Sequence, residues 1–86
     1  MAYNITYKKS VRRDLKRLSK AEAGRILDQI DKELSIKADS NPVLKAQFAG
    51  LRKYRVGDYR VIYVILGDDV LILRIGHRKD VYKKEI

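Results

Sequence analysis

The chain has 86 residues, no cysteine, one histidine and a formal charge of +9, from 20 Lys and Arg against 11 Asp and Glu. That length forms one domain, residues 1–86, around one modest core. The missing thiols exclude a disulfide framework and a thiolate metal site, and a lone histidine cannot build a zinc site.

The charge sets up a positive field that draws polyanions, nucleic acid first among them, unless it serves solubility alone. The start of the chain has no apolar stretch of secretory type. The longest apolar run, Val61 to Leu66, is far short of a membrane span of about 20 residues. A cytoplasmic protein with no membrane partner is expected.

Tyr3, Ile5 and Tyr7 alternate with Asn4 and Thr6, which predicts a first strand over residues 2–7. From Val11 the period lengthens. Val11, Leu15 and Leu18 share one helical face, Arg12, Arg13, Lys16 and Arg17 cover the rest, and Ser10 stands at the N-cap. Ser19-Lys20-Ala21-Glu22 then has the S-x-x-E form of a capping box. Ser19 accepts from the third helical N–H and Glu22 reaches back. One helix therefore ends near Leu18 and another starts at Lys20, as a helical hairpin.

Ala23, Ile26, Leu27, Ile30 and Leu34 make the core stripe of the second helix, with Asp28 and Lys32 paired on its outer face. The helix fades near Ala38, where Asp39-Ser40-Asn41-Pro42 is turn chemistry. Val43 to Gly50 reads as a loop with at most a short turn of helix, and Phe48 and Leu51 close one edge of the core.

Three strand signals follow: Leu51 to Val56, Tyr59 to Leu66 and Val70 to Gly76. Gly57-Asp58 suits a type II′ hairpin turn, and Gly67-Asp68-Asp69 joins the second pair. The order β-α-α-β-β-β predicts an α+β fold, an antiparallel sheet with the N-terminal helical hairpin packed on one face.

Register turns this order into chemistry, because directly opposed residues of a hairpin share a face. With Gly57-Asp58 as the loop, Arg55 opposes Arg60 and Lys53 opposes Ile62. Tyr54, Val56, Tyr59, Val61, Tyr63 and Ile65 then face the helices. With a three-residue second loop, Arg60 falls opposite Gly76. Leu71, Leu73 and Ile75 turn inward, and Ile72 and Arg74 turn outward. The open face thus gathers Lys53, Arg55, Arg60 and Arg74, with Arg78 just past the strand. Opposed like charges destabilise a sheet, so Arg55 against Arg60 calls for a bound anion, for which the Arg fork suits phosphate. The alternative is that these side chains splay into solvent or pair with Asp58, Asp68 or Asp69. His77 beside these cations is a candidate proton acceptor, unless it is an ordinary surface or core histidine. Tyr82 is placed to stack on a base or to move a proton, or else to plug the sheet edge.

The segments GLRKYRVGDYRVIYVI and RIGHRKDVY resemble the RelE/ParE superfamily of bacterial and archaeal toxins. VGDYRVIY and GHRKDVY are similar to its RelE branch. The resemblance covers nearly the whole chain. It implies a cytoplasmic toxin of a toxin–antitoxin pair, with an RNA site on the sheet face opposite the helices. RelE-type members enter the ribosomal A site and cleave mRNA. ParE-type members share the fold, inhibit DNA gyrase and lack the nuclease residues. An inactive RNA-binding homologue is the third alternative.

Residue by residue, Lys53 and Arg55 match the family's two basic residues before the hairpin, Arg55 standing where a well-studied member carries lysine. Arg60 matches the arginine on the scissile phosphate, Arg78 the second catalytic arginine, and Tyr82 the tyrosine that engages the mRNA base. The intervals Lys53–Arg60 and Arg78–Tyr82 are shorter than in that member. His77 has a counterpart in some branches only. Arg74 and Lys79 join Lys53 and Arg55 as RNA-binding residues. The implied chemistry is metal-independent transesterification by the RNA 2′-hydroxyl, with no cofactor. The implied partners are the ribosome, mRNA and an acidic, RelB-like antitoxin. That antitoxin would cover the basic surface together with Ile62, Val64 and Ile72.

Overall fold

The computed structural model describes residues 2–44 and 50–79. Strand β1 (Asn4–Tyr7) leads into helix α1 (Val11–Lys16) and helix α2 (Lys20–Gln29). The helix runs on through a π-helical turn (Ile30–Leu34) into α3 (Ser35–Lys37) and a 3-10 turn (Ala38–Ser40). Strands β2 (Arg52–Val56), β3 (Tyr59–Leu66) and β4 (Asp69–His77) complete the order. The sheet order is β1-β4-β3-β2. This is the α+β fold expected, with the meander antiparallel.

β1 joins the sheet in parallel to β4, with Ile5 opposite Val70 and Tyr7 opposite Ile72, so the sheet as a whole is mixed. β1 and β2 therefore run the same way at opposite edges. The helical segment between them is a crossover, the connection that parallel strands require.

The capping box forms on one side. Ser19 Oγ accepts from the Glu22 N–H at 3.1 Å. Ser10 sits at the N-cap of α1 but makes no side-chain bond there. Asp28 and Lys32 pair at 3.0 Å as expected. Ile26, Ile30, Leu34 and Ala38 are all fully buried. Their four-residue spacing would drift by about 40° per step around an ordinary α-helix. The wider π-helical turn keeps the row aimed at the sheet.

The β3–β4 connection corrects the expected register. The loop has two residues, since Leu66 pairs with Asp69, and Gly67 takes φ +62 as primed turns require. A two-residue loop alone would turn Arg74 into the core. A β-bulge between Ile62 and Tyr63 prevents this: Tyr63 pairs with Ile72 and Ile62 with Arg74, leaving Leu73 as the extra residue. Before the bulge the faces are the reverse of those expected, so Val70 and Ile72 fill the core and Leu71 lies on the open face. After it the expected faces return, with Ile75 buried in the core and Gly76 opposite Arg60.

Tyr63, fully buried, ties sheet to helix. Its hydroxyl donates to the Ala38 carbonyl at 2.5 Å and accepts from Asn41 Nδ2 at 3.1 Å. Burial raises its pKa above the ordinary tyrosine value. The stretch read as a loop adds a short antiparallel bridge, Val43 to Arg52, with the Lys53 N–H donating to the Pro42 carbonyl. Leu51 is half-buried, and Phe48 lies outside the described residues. Among the described residues no helix is long and apolar enough to cross a membrane.

Candidate functional site on the open sheet face

Two cross-strand rows define the open face. Lys53, Ile62 and Arg74 form one, and Arg55, Arg60 and Gly76 form the next. Alternation along β3 puts both rows on the same side. Four cations therefore meet on about two rungs of sheet, and Gly76 contributes no side chain beside Arg60. Arg55 opposes Arg60 as the sequence predicted.

The two arginines differ in freedom. Arg55 is exposed, whereas Arg60 is only 9% exposed. Arg60 Nη1 donates to the carbonyls of Gly57 at 3.4 Å and Tyr59 at 3.2 Å. Among the described residues no carboxylate pairs with either, nor with Lys53, Arg74 or Arg78; the ion pair there is Lys32–Asp28. Arg74 Nε is buried with no hydrogen-bond partner among them. A buried N–H of a cation left unmatched is costly. This face therefore favours an anion that accepts from several forks at once.

Ile62 is fully buried in this face, outside the main core cluster and between Lys53 and Arg74 in its row. With Ile72 also buried, the apolar surface expected for a partner is corrected. Val64 and Leu71 are partly exposed, and Leu66 is 55% exposed.

The remaining sequence-predicted residues spread around the sheet end. Arg78 is exposed just past β4, and its N–H donates to the Asp58 carbonyl at 2.9 Å. Lys79 is exposed and its N–H donates to His77 Nδ1 at 3.2 Å. His77 itself pairs with Tyr59, so it lies on the helix face rather than with the arginine rows. The two rings meet edge to face at 5.7 Å between centroids. His77 and Arg74 come together only at the sheet edge. There they line a cleft of about 170 Å³ with Asp14, Arg17 and Tyr59. Tyr82 lies outside the described residues.

Residues 5–82 match the family described as ParE toxin of type II toxin-antitoxin system, parDE. The chain belongs to the ParE toxin family. It is therefore a toxin of a type II toxin–antitoxin system, within the RelE/ParE superfamily. A protein of Methanocaldococcus jannaschii that bears the name RelE1 is 32% identical to it, over 96% of this chain and 98% of that one. Two solved toxin–antitoxin complexes contain chains of the same fold. One is RelBE2 of Mycobacterium tuberculosis, with TM-score 0.86, 29% identity and 93% and 95% of the two chains covered. The other is the RelE-RelB complex of Pyrococcus horikoshii, with TM-score 0.68, 30% identity and 94% and 100% covered.

Three residues of this ParE-family toxin do work that the sequence did not signal. Arg52, first of the cations in β2, turns to the helix side and donates to the Asp39 and Asn41 carbonyls at 3.2 and 2.7 Å, capping the helix end. Asp14 Oδ2 accepts from the Ile75 N–H at 3.0 Å, where β1 no longer covers the edge of β4. The Glu22 side chain, rather than acting only at the helix cap, is the main cause that raises the Tyr59 pKa. The parity of strand residues could have indicated Arg52; nothing in the sequence places Asp14 or Glu22.

Proposed function

We propose that this toxin is a ribosome-dependent endoribonuclease that cleaves mRNA in the A site. The observation that carries the reading is the pair of cationic rows on the open face, with Arg55 set against a buried Arg60 that no carboxylate pairs with among the described residues. In the reaction the RNA 2′-hydroxyl loses its proton to a base and its oxygen attacks the adjacent phosphorus. The bond from phosphorus to the 5′ oxygen breaks, and that oxygen takes a proton from an acid. A 2′,3′-cyclic phosphate and a 5′-hydroxyl result.

Arg60 and Arg78 stabilise the charge that builds on the phosphoryl oxygens, usually the largest catalytic term. Lys53, Arg55, Arg74 and Lys79 hold the backbone of the message. Lys53 and Tyr82 are the candidates for moving protons, while His77, expected to join them, faces the helices with Tyr59. The neutral antitoxin-bound state would involve an acidic, RelB-like partner. The related complexes support this, as does the +9 charge of the chain.

The test is mRNA cleavage on programmed ribosomes by wild type, Arg60→Ala and Arg78→Ala. Loss in both variants is expected, and full activity in both would remove the assignment. A second reading, inhibition of DNA gyrase without nuclease activity, is favoured by the match to a family described as ParE. Growth arrest that survives the combined loss of Arg60, Arg78 and Tyr82, together with gyrase inhibition by the purified protein, would select it.

A further inference from the structure

One turn touches both arginines. Gly57, Asp58 and Tyr59 are consecutive, and each carbonyl accepts from one of them. Gly57 O and Tyr59 O accept from Arg60 Nη1 at 3.4 and 3.2 Å, and Asp58 O accepts from the Arg78 N–H at 2.9 Å. We propose that the Gly57-Asp58 turn is the positioning element that sets Arg60 and Arg78 for a phosphate. The inference rests on the reading above of these two arginines and adds residues to which that reading gave no role.

The contacts to Arg60 are long for N–H···O hydrogen bonds. They orient the guanidinium without saturating it, and its other N–H groups stay available to an anion. With the stem buried, most of the side-chain entropy that a bound phosphate would otherwise cost is already lost. The carbonyl dipoles also soften the repulsion between Arg55 and Arg60, since no carboxylate among the described residues does so.

The turn's own backbone and its surroundings limit what can replace Gly57. Gly57 holds φ +59, in the left-handed region that β-branched residues avoid. Arg25 Nη2 lies 3.5 Å from where a Cβ on Gly57 would stand. At the other end, Tyr59 carries the edge-to-face contact with His77. A change at Gly57 therefore shifts three carbonyls and both arginines together, with neither guanidinium altered.

Gly57→Val should lower the turnover of mRNA cleavage on programmed ribosomes by roughly tenfold to a hundredfold, with KM for ribosomes little changed. Gly57→Asn, which tolerates the left-handed region, should recover most of the rate. In an Arg60→Ala background the Gly57→Val change should cost much less than in wild type, because the carbonyls no longer have that guanidinium to hold. Should Gly57→Val fail to fold, Gly57→Ala strains the same φ with less bulk and carries the same comparison. Equal activity of the Val and Asn variants, or penalties that multiply fully with Arg60→Ala, would overturn the proposal.

Hydrogen exchange gives a readout apart from cleavage. The Arg78 amide should exchange faster in Gly57→Val while the Ile75 amide, held by Asp14, is unchanged. Unchanged exchange at Arg78 overturns the proposal even if turnover falls. If the wild type does not cleave mRNA, the nuclease reading fails on its own. Titration with inorganic phosphate then decides the turn's role. Arg60 and Arg78 guanidinium resonances that move in wild type and not in Gly57→Val support it. Equal movement in both, or none in wild type, rejects it.

Discussion

Replacing Arg55 with glutamine should make the protein more stable while weakening its hold on phosphate. Arg55 and Arg60 are directly opposed on β2 and β3, one exposed and the other buried. Two unit charges about 5 Å apart, the usual Cβ separation of directly opposed residues, repel by about 0.8 kcal/mol at the dielectric constant of water and by about 3 kcal/mol at an effective value near 20. The exposure of Arg55 puts the pair toward the lower figure, in line with cross-strand pair energies of about 0.2–1 kcal/mol. Relief of about 0.5 kcal/mol corresponds to a Tm higher by about 2–4 °C for a domain of this size. The assay is thermal unfolding of wild type and Arg55→Gln at about 0.01 M and about 1 M salt, where the screening length falls from about 30 Å to about 3 Å. The gain should be present at low salt and absent at high salt. Added phosphate should narrow it as well, because an anion that binds the pair stabilises the wild type more. A lower Tm for the variant at low salt, or a gain indifferent to salt, would refute the like-charge argument on which the functional reading rests.

Tyr63→Phe leaves the buried Ala38 carbonyl without its donor and should cost about 1–3 kcal/mol, read from denaturant unfolding. Burial holds the folded pKa of Tyr63 above its unfolded value of 10.0, so its stabilisation is complete below that pH and is lost as pH climbs through the raised value. Stability should therefore fall on the alkaline side, and less steeply in Tyr63→Phe, as seen in midpoints of unfolding against pH. Deleting Leu73 removes the bulge but makes Tyr63–Ile72 and Ile62–Arg74 consecutive pairs, so Arg74 should keep to the open face and unfolding should stay cooperative by calorimetry. Ser19→Ala should lower stability by about 1 kcal/mol through loss of the bond to the Glu22 N–H, measured by the shift in urea midpoint.

Most of the fold was legible because its signals are local. The capping box, the shift from period two to period 3.6 and the two glycine-led turns each lie within a few residues. The first hairpin register follows from its loop alone, and with it the meeting of Lys53, Arg55 and Arg60, whereas Arg74 was brought to them by a three-residue loop that the structure replaces with a bulge. What was not legible depends on distant partners. The bulge at Leu73 resolves a conflict between a turn that prefers two residues and a strand end whose cation must stay outside. Hydrophobic pattern alone does not separate that solution from a longer loop. The parallel placement of β1 is set by the crossover. His77 faced the helices because Tyr59 does, a parity that the sequence contains but that adjacency to Arg78 obscured. The π-helical turn is hidden for a similar reason: a four-residue apolar spacing fits an α-helix over two steps and departs from it only over three.

The parallel pairing of β1 also fixes the order in which the toxin matures. Asn4 reaches Asp69 across 65 positions of sequence, whereas β2, β3 and β4 meet their neighbours through two short turns. Closing that long loop comes after the local ladders, since its entropy must be met before any contact repays it. During synthesis the N-terminal strand leaves the ribosome first and waits for β4 to emerge. The cationic rows on β2, β3 and β4 need no part of β1, so the face that would recognise RNA takes shape before the sheet is finished.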